Sequence, residues 1–335
     1  MSTEKMCIDA VIMWVDGDDP IHRAKRMSYM NGGREAKFDD VAGETRYRQV
    51  GEINFCVASV LRFAPFVRKI FIVTDNQNPN LDDFIALNFP DNRIPIEIVD
   101  HKVIFRGYEQ YLPTFNSLSI TTMLWRIPGL AEHFLLLNDD LMMFAPVKPS
   151  DFFTPEGGVV AYANWRSAFI ARLKRSLRLR RSGHRRLAFR DVMLNAADLL
   201  GVDRFLRIKH TPHTLRRSFF EEFFAEHPGV LENQIQHRFR HDTQFSALAL
   251  QYTALAHKGP EYCRVETSSR KYLYMKPRNG RVPSDGRLAK LEKRKDALFL
   301  CMNSLDIAAP DEAERLIAWL SRLLDVKIPQ TAEKP

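Results

Sequence analysis

The stretch IDAVIMWVDGDDP, residues 8–20, decides the fold. Ile8 to Val15 is a loosely alternating apolar run, and Asp16-Gly17 and then Pro20 break it. A run of that length bounded by turn residues reads as a buried strand that ends in a turn. The same pattern returns downstream. KIFIVT (69–74) ends at Asp75-Asn76, Ile96 to Val99 ends at Asp100-His101, and Phe134 to Leu137 ends at Asn138-Asp139-Asp140. Between these runs, Val50, Ile53, Val57, Val60 and Leu61 follow helical spacing over residues 49–63. Residues 82–88 form a short helix, and residues 115–126 read as helical up to Pro128-Gly129. Residues 21–45, charged and glycine-containing, read as a loop or short helix. Strands alternating with helices imply an α/β fold with a mostly parallel sheet. The acids sit just after apolar strands, at the edge where open α/β sheets bind ligands. Asp and Asn are also common turn formers, so the argument rests on the repetition and not on any one of them.

The second half differs in composition. Residues 172–190 hold nine Arg or Lys. Helical patterns follow at 187–200, 213–226 and 242–256, then a β-rich stretch at 264–276 and a short strand, FLCMN, at 299–303. An amphipathic helix from Pro310 to Leu324 has Asp311 and Glu312 in its first turn, where acids favour the helix dipole. Residues 326–335 read as a tail.

Bulk properties narrow the function classes. With 335 residues, 45% of them hydrophobic, and 23 Phe, the chain can bury a sizeable core. A net charge of +8 favours anionic partners: nucleotide phosphates, an acidic polymer, a membrane surface or nucleic acid. Cys7, Cys56, Cys263 and Cys301 lie far apart, with neither a disulfide framework nor a thiolate zinc motif. The start, MSTEKMCID, lacks the layout of a signal peptide, and no run approaches the length of an apolar span. The expectation is a cytoplasmic protein, with contact at the inner membrane face left open by the basic run.

Several constellations suit phosphate chemistry. Asp16, Glu52, Asp139 and Asp140 offer the hard oxygens that Mg²⁺ or Mn²⁺ needs to hold a diphosphate. His210 and His213, three residues apart, suit either a shared metal or one general base near neutral pH, or are a packed pair with no chemistry. Arg46, Arg48, Arg217, Arg238 and Arg240 have the guanidinium fork that matches phosphoryl oxygens, although each also suits a solvated surface. In and just before RLKRSLRLRRSGHRR (172–186), Phe169, Leu173 and Leu177 share a helical stripe with cations around it. The run fits a helix resting on an anionic membrane, a contact for a polyanionic acceptor, or a solvated face. Nucleic acid ranks lowest, because no binding module is recognisable and no aromatics interleave with the cations.

Taken together and in order, these pieces resemble the Stealth family of sugar-phosphate transferases. The matching blocks are IDAVIMWVDGDDP (8–20), RYRQVGEINFCVASVLRFAPFVRKIFIVTDNQ (46–77) with LPTFNSLSITTMLWRIPGLAEHFLLLNDDLMMF (112–144), KHTPHTLRRSFFEEFF (209–224) with HRFRHDTQF (237–245), and FLCMNSLDIAAPDEAERLIAWL (299–320). The resemblance implies a Rossmann-like, nucleotide-sugar-transferase-like α/β fold with helical elaboration. Residues 1–160 would form the nucleotide-sugar-binding half, 161–205 a basic helical insertion, and 206–325 the half that completes the site. It implies transfer of a sugar-1-phosphate from a UDP-sugar to a hydroxyl of a glycan or lipid-linked acceptor in capsule or exopolysaccharide synthesis, releasing UMP. A glycosyltransferase releasing UDP and a silent anion-binding module are the alternatives.

The same resemblance assigns roles to positions. Asp16 and Glu52 match the acids of the active centre, and Asp139 and Asp140 the acidic pair around a divalent metal. His210 matches the catalytic histidine, as a base or a transient covalent nucleophile. Arg240 matches the phosphate-stabilising arginine and Asn303 the asparagine of the last block, while Arg46, Arg48, Asn116, Arg217 and His213 would bind substrate. Departures from the family pattern stand at Asn54, Ala58, Leu118, Thr121 and Ser304, and bear on donor and acceptor contacts.

Overall fold

A computed structural model of the chain describes residues 6–31, 51–182, 188–276 and 282–329. The central sheet has the strand order β3-β2-β1-β4-β8. It is built from β1 (Ile8–Met13), β2 (Val67–Thr74), β3 (Ile96–Asp100), β4 (His133–Asn138) and β8 (His213–Arg216). The first four are parallel and β8 is antiparallel to β4. The mostly parallel α/β arrangement expected from the apolar runs is therefore present. β1 and β4 are near-continuously apolar because both faces of the sheet are covered. One carboxylate, Asp9, is fully buried in β1, where Arg68 grips it with two hydrogen bonds and Ala131 N–H donates a third at 2.7 Å.

The order matters more than the count. β2 and β4 flank β1 on opposite sides, so the chain leaves β1 one way and returns the other. Such a reversal opens a crevice beyond the strands' carboxyl ends, the place where open sheets take ligands. Met13 pairs with Asn138, so the turns after β1 and β4 emerge side by side.

Helices cover the sheet: α1 (Pro20–Asn31), α2 (Glu52–Phe63), α3 (Asp82–Asn88), α4 (His101–Ile104) and α5 (Ser117–Met123). α2 buries Ile53, Cys56, Val57 and Val60 at the expected spacing and stops at Ala64, just before Pro65. α5 ends three residues short of Arg126 and passes into a 3₁₀ turn, Leu124–Arg126.

Two further sheets of three strands complete the fold. One contains β5 (Leu141–Met143), β10 (Tyr272–Met275) and β11 (Phe299–Met302); the other contains β6 (Val159–Ser167), β7 (Arg204–Ile208) and β9 (Cys263–Glu266). The remaining helices are α6 (Ala168–Ser182), α7 (Phe189–Leu200), α8 (Arg217–Glu226), α9 (Pro228–Ile235), α10 (Ala247–Lys258), α11 (Asp285–Glu292) and α12 (Pro310–Leu323). α12 inserts Leu316, Trp319 and Leu320 into a second core with Phe55, Leu300 and Met302.

Three expectations change here. The helix expected over 213–226 is a strand, β8, followed by α8, because His213–Arg216 pairs with β4 and continues the main sheet. The boundaries expected at 160 and 205 fall inside β6 and β7, which are hydrogen-bonded to each other. The segment 161–205 is thus part strand, with the helices α6 and α7 between its strands. Among the described residues, no helix is long and apolar enough to cross a membrane.

Candidate active site

The candidate residues form two groups past the carboxyl ends of β1 and β4. In the first, the WVDG turn is held in place by its backbone. Asp16 N–H donates to Gln77 Oε1 at 2.9 Å, and Gln77 Nε2 donates back to Asp16 C=O at 2.8 Å. Asp16 Oδ1 accepts from Asp18 N–H at 3.0 Å, an Asx turn that presents the carboxylate at the strand end. Gln77, the last residue of TDNQ, therefore positions this turn.

Beside this turn lies the loop carrying Arg240. Phe239 and Phe115 stack at 5.4 Å and pack against Val15, next to Asp16. Arg240 donates to Ser117 Oγ at 2.8 Å. Arg238 instead turns to the backbone of Gln110 and Leu112 and lies 4.8 Å from the Tyr29 ring.

Asn116 is corrected from a substrate ligand to a clamp. It is fully buried, and its amide donates to His237 O (3.1 Å), Phe239 O (2.9 Å) and Gln244 Oε1 (2.8 Å). Its Oδ1 accepts from Leu118 N–H at 3.1 Å and caps α5. No polar atom remains for a ligand, and the residue fixes the Arg240 loop from beneath. Asn116→Ala would strip these buried acceptors of their donor. We expect it to lower stability by about 2–4 kcal/mol, read as a reduced urea unfolding midpoint.

The second group is acidic. Glu52 opens α2 directly after Gly51, whose φ of 84° is the left-handed turn that admits the helix. One helical turn on, the Cys56 thiol reaches Asn138 C=O at 3.6 Å, which sets Glu52 beside the LNDD turn. Asp140 is fixed by the last block: its C=O accepts from Met302 N–H at 2.9 Å. Its Oδ2 accepts from Asn303 Nδ2 at 3.2 Å and faces the Cys301 thiol at 3.6 Å. Asn303 Oδ1 in turn accepts from Tyr274 O–H (3.3 Å) and Ser304 O–H (3.1 Å). Desolvation, then the charges of Asp140 and Glu52, push the Asp139 carboxyl well above the usual carboxylate range.

His210 is the exposed residue of the turn between β7 and β8, whose neighbours Lys209, Thr211 and Pro212 are buried. Its ring lies 4.9 Å from Tyr274 and 6.4 Å from Phe189. One edge of the ring remains open to solvent, yet desolvation by the protein packed around the rest lowers its pKa below the ordinary value, and the nearby charge of Asp140 works against that shift. His213 is inside β8, opposite Leu136, and burial drops its pKa to about 3. It is a neutral packed imidazole near Tyr252, 6.4 Å away.

Arg217 is not brought to this place. It opens α8 at the far end of β8, where its backbone N–H bonds Glu132, the residue before β4 begins. Its guanidinium pairs with Glu221 at 3.0 Å, and the adjoining Glu222 is exposed. An antiparallel partner to β4 necessarily carries its last residue away from the crevice. Arg46 and Arg48 lie outside the described residues.

The residues fit a divalent cation in part. Among the described residues, no three His, Cys, Asp or Glu side chains form a set that could hold a metal unaided. Yet Asp140 Oδ1 is buried without a hydrogen-bond partner, and the Asp139 charge is opposed by its neighbours. Two hard oxygens that repel each other suit Mg²⁺, whose other positions are commonly filled by substrate phosphates and water.

The fold is α/β, and past the end of β4 it sets Asp139 near Asp140 and Glu52, with His210 within electrostatic reach of Asp140. The chain belongs to the Stealth family: residues 46–161 match the family model described as Stealth protein CR2, conserved region 2. It is 32% identical over 338 residues to the exopolysaccharide phosphotransferase CpsY of Mycobacterium tuberculosis, covering 96% of this chain and 57% of that protein. It is 39% identical over 150 residues to the receptor polysaccharide phosphotransferase WefC of Streptococcus oralis, covering 45% and 42% respectively. The chain spans a little over half the length of CpsY. A crystal structure of the galactosyltransferase LgtC with donor and acceptor sugar analogues aligns at a TM-score of 0.46 and 10% identity, over 96% of this chain and 98% of that one. A likeness that weak decides nothing about the site.

Proposed function

We propose that the chain transfers a sugar-1-phosphate from a UDP-sugar to a hydroxyl of a glycan, or of a lipid-linked glycan, in the assembly of a capsule or exopolysaccharide. The observation that supports this reading is the nearness of Asp139 to Asp140 and Glu52, and of His210 to Asp140, just past the carboxyl end of β4. The names of the relatives supply the reaction class, phosphotransfer onto polysaccharide.

Asp139 and Asp140 would hold a divalent cation, Mg²⁺ or Mn²⁺, which when bound supplies positive charge to the donor's diphosphate. His210, neutral around pH 7, accepts the proton of the acceptor hydroxyl. The hydroxyl oxygen bonds to the phosphorus that carries the sugar, the bond from that phosphorus to the bridging oxygen breaks, and UMP leaves. Arg240, set beside Asp16 by the Asn116 clamp, balances charge on the phosphoryl oxygens. Asn303 and Tyr274 hold Asp140 and the His210 ring in register. Positioning and electrostatics supply most of the catalysis in such transfers. The nucleotide released, UMP against UDP, tests the reading.

A further inference from the structure

The helix α6 is packed the opposite way to an ordinary surface helix, which turns its apolar stripe to the core. Three of its arginines turn to the neighbouring helix α7. Arg172 and Arg175 both pair with Asp198 of α7, at 2.8 and 3.3 Å, and Arg175 also reaches Asn195 Oδ1 at 2.8 Å. One turn on, Arg178 pairs with Asp191. The other face carries Phe169, Ile170, Leu173 and Leu177, which are 71, 49, 51 and 47% exposed. At about 100° per residue these four fall within roughly one quarter of the helix circumference. Lys174 borders the stripe and Arg180 closes its far end, both exposed.

We propose that this face docks on an anionic membrane surface. The helix would lie in the interfacial plane, with Phe169, Ile170, Leu173 and Leu177 in the acyl boundary and Lys174 and Arg180 against headgroup phosphates. Charge and polarity together select this occupant. A polyanionic glycan would complement the cations but offers no apolar phase for four large side chains. A second copy, related by two-fold symmetry, would bring like charges together along the same stripe. The 15 residues of α6 are too few to cross a hydrocarbon core about 30 Å thick, so the helix lies flat. The surface is also in the right place. α6 is tied to α7, whose first residue, Phe189, lies 6.4 Å from the His210 ring. An acceptor anchored in the bilayer would then meet the candidate base at the membrane face. Only this last consequence rests on the proposed reaction; the binding itself does not.

Flotation of the purified chain tests it, with vesicles of phosphatidylcholine alone and with phosphatidylglycerol added in equal parts. The wild type is expected to float with the anionic vesicles, at least about tenfold more weakly with the neutral ones, and progressively less as salt rises. The variant F169S/L173S/L177S is expected to bind at least about a hundredfold more weakly while keeping the wild-type melting temperature. K174Q/R180Q is expected to lose the preference for anionic lipid. No flotation of the wild type, or equal flotation of the triple variant, overturns the proposal. Self-association of the wild type in sedimentation velocity that the triple variant abolishes also overturns it, and assigns the face to a second copy.

Discussion

Replacing His210 with alanine is expected to cut turnover by about 10²–10⁴-fold, the usual worth of a positioned general base. The imidazole projects from the turn between β7 and β8, braced by Tyr274 and close enough to Asp140 to feel its charge. His213→Ala should cost far less, because that ring is packed in β8 and already neutral, with a pKa near 3. The pH profile separates a base from a structural residue. Desolvation lowers the His210 pKa, so the reactive neutral form persists below the ordinary histidine range. The acid limb of kcat/KM should therefore fall below pH 6.5, with activity lost as pH drops through the folded value and flat above it. An acid limb that stays in place in the His210→Ala residual activity would assign it to another group. Equal losses at both histidines, restored by zinc, would point to a shared metal site.

Asp140→Asn and Asp139→Asn are expected to lower turnover by at least about 10²–10³-fold, the scale seen when one electrostatic element is removed from a preorganised site. Chelation should abolish activity, and Mg²⁺ or Mn²⁺ should restore it. A thermodynamic readout accompanies the kinetic one. The Asp139 carboxyl is raised in the folded state by desolvation and by Asp140 and Glu52, so the unfolded chain releases that proton more readily. For such a group, stability falls as pH rises from the unfolded carboxylate value through the raised folded one. At neutral pH the metal-free wild type should consequently melt below Asp139→Asn, which carries no charge there. Mg²⁺ or Mn²⁺ should raise the melting temperature of the wild type and leave both Asn variants unmoved. A wild type that melts above Asp139→Asn without metal and ignores added cation would refute the acidic-pair assignment.

The central strands were legible because burial on both faces writes them as nearly uninterrupted apolar runs, each closed by acid or amide. Ile8–Met13, Val67–Thr74, Ile96–Asp100 and His133–Asn138 all lie where those runs fall. α3 was readable for the same local reason. β8 was not. HTLR is too short for a strand period and runs without a break into a helical pattern, and only its pairing with β4 separates the two. β6 escaped because its second half, Asn164-Trp165-Arg166-Ser167, leaves the buried core and loses the apolar signal.

The site divides along similar lines. Acids at strand ends are visible wherever the strand is, so Asp16, Asp139 and Asp140 stood out. The task of Asn116 is written in residues more than 120 positions away, and nothing local distinguishes a buried clamp from a ligand. Arg217 looked like its neighbours in a basic chain, and the direction of β8 carries it to the opposite end of the sheet. Tyr274 gave no warning at all: its contacts with His210 and Asn303 exist only because β10 lies beside β11. Two departures from the family pattern also gain a physical setting. Ala58 is fully buried in the core of α12 and β11, and Ser304 donates to Asn303 Oδ1, which a carboxylate cannot do.

The most direct measurement is the identity of the two products. The purified chain is supplied with UDP-sugars and a glycan acceptor, the nucleotide is resolved by chromatography, and the glycan is examined by ³¹P NMR. Attack at phosphorus predicts UMP, matched by a new phosphodiester resonance on the glycan. Release of UDP with a phosphate-free glycan would place the bond cleavage at the sugar carbon, make the chain a glycosyltransferase, and contradict the account.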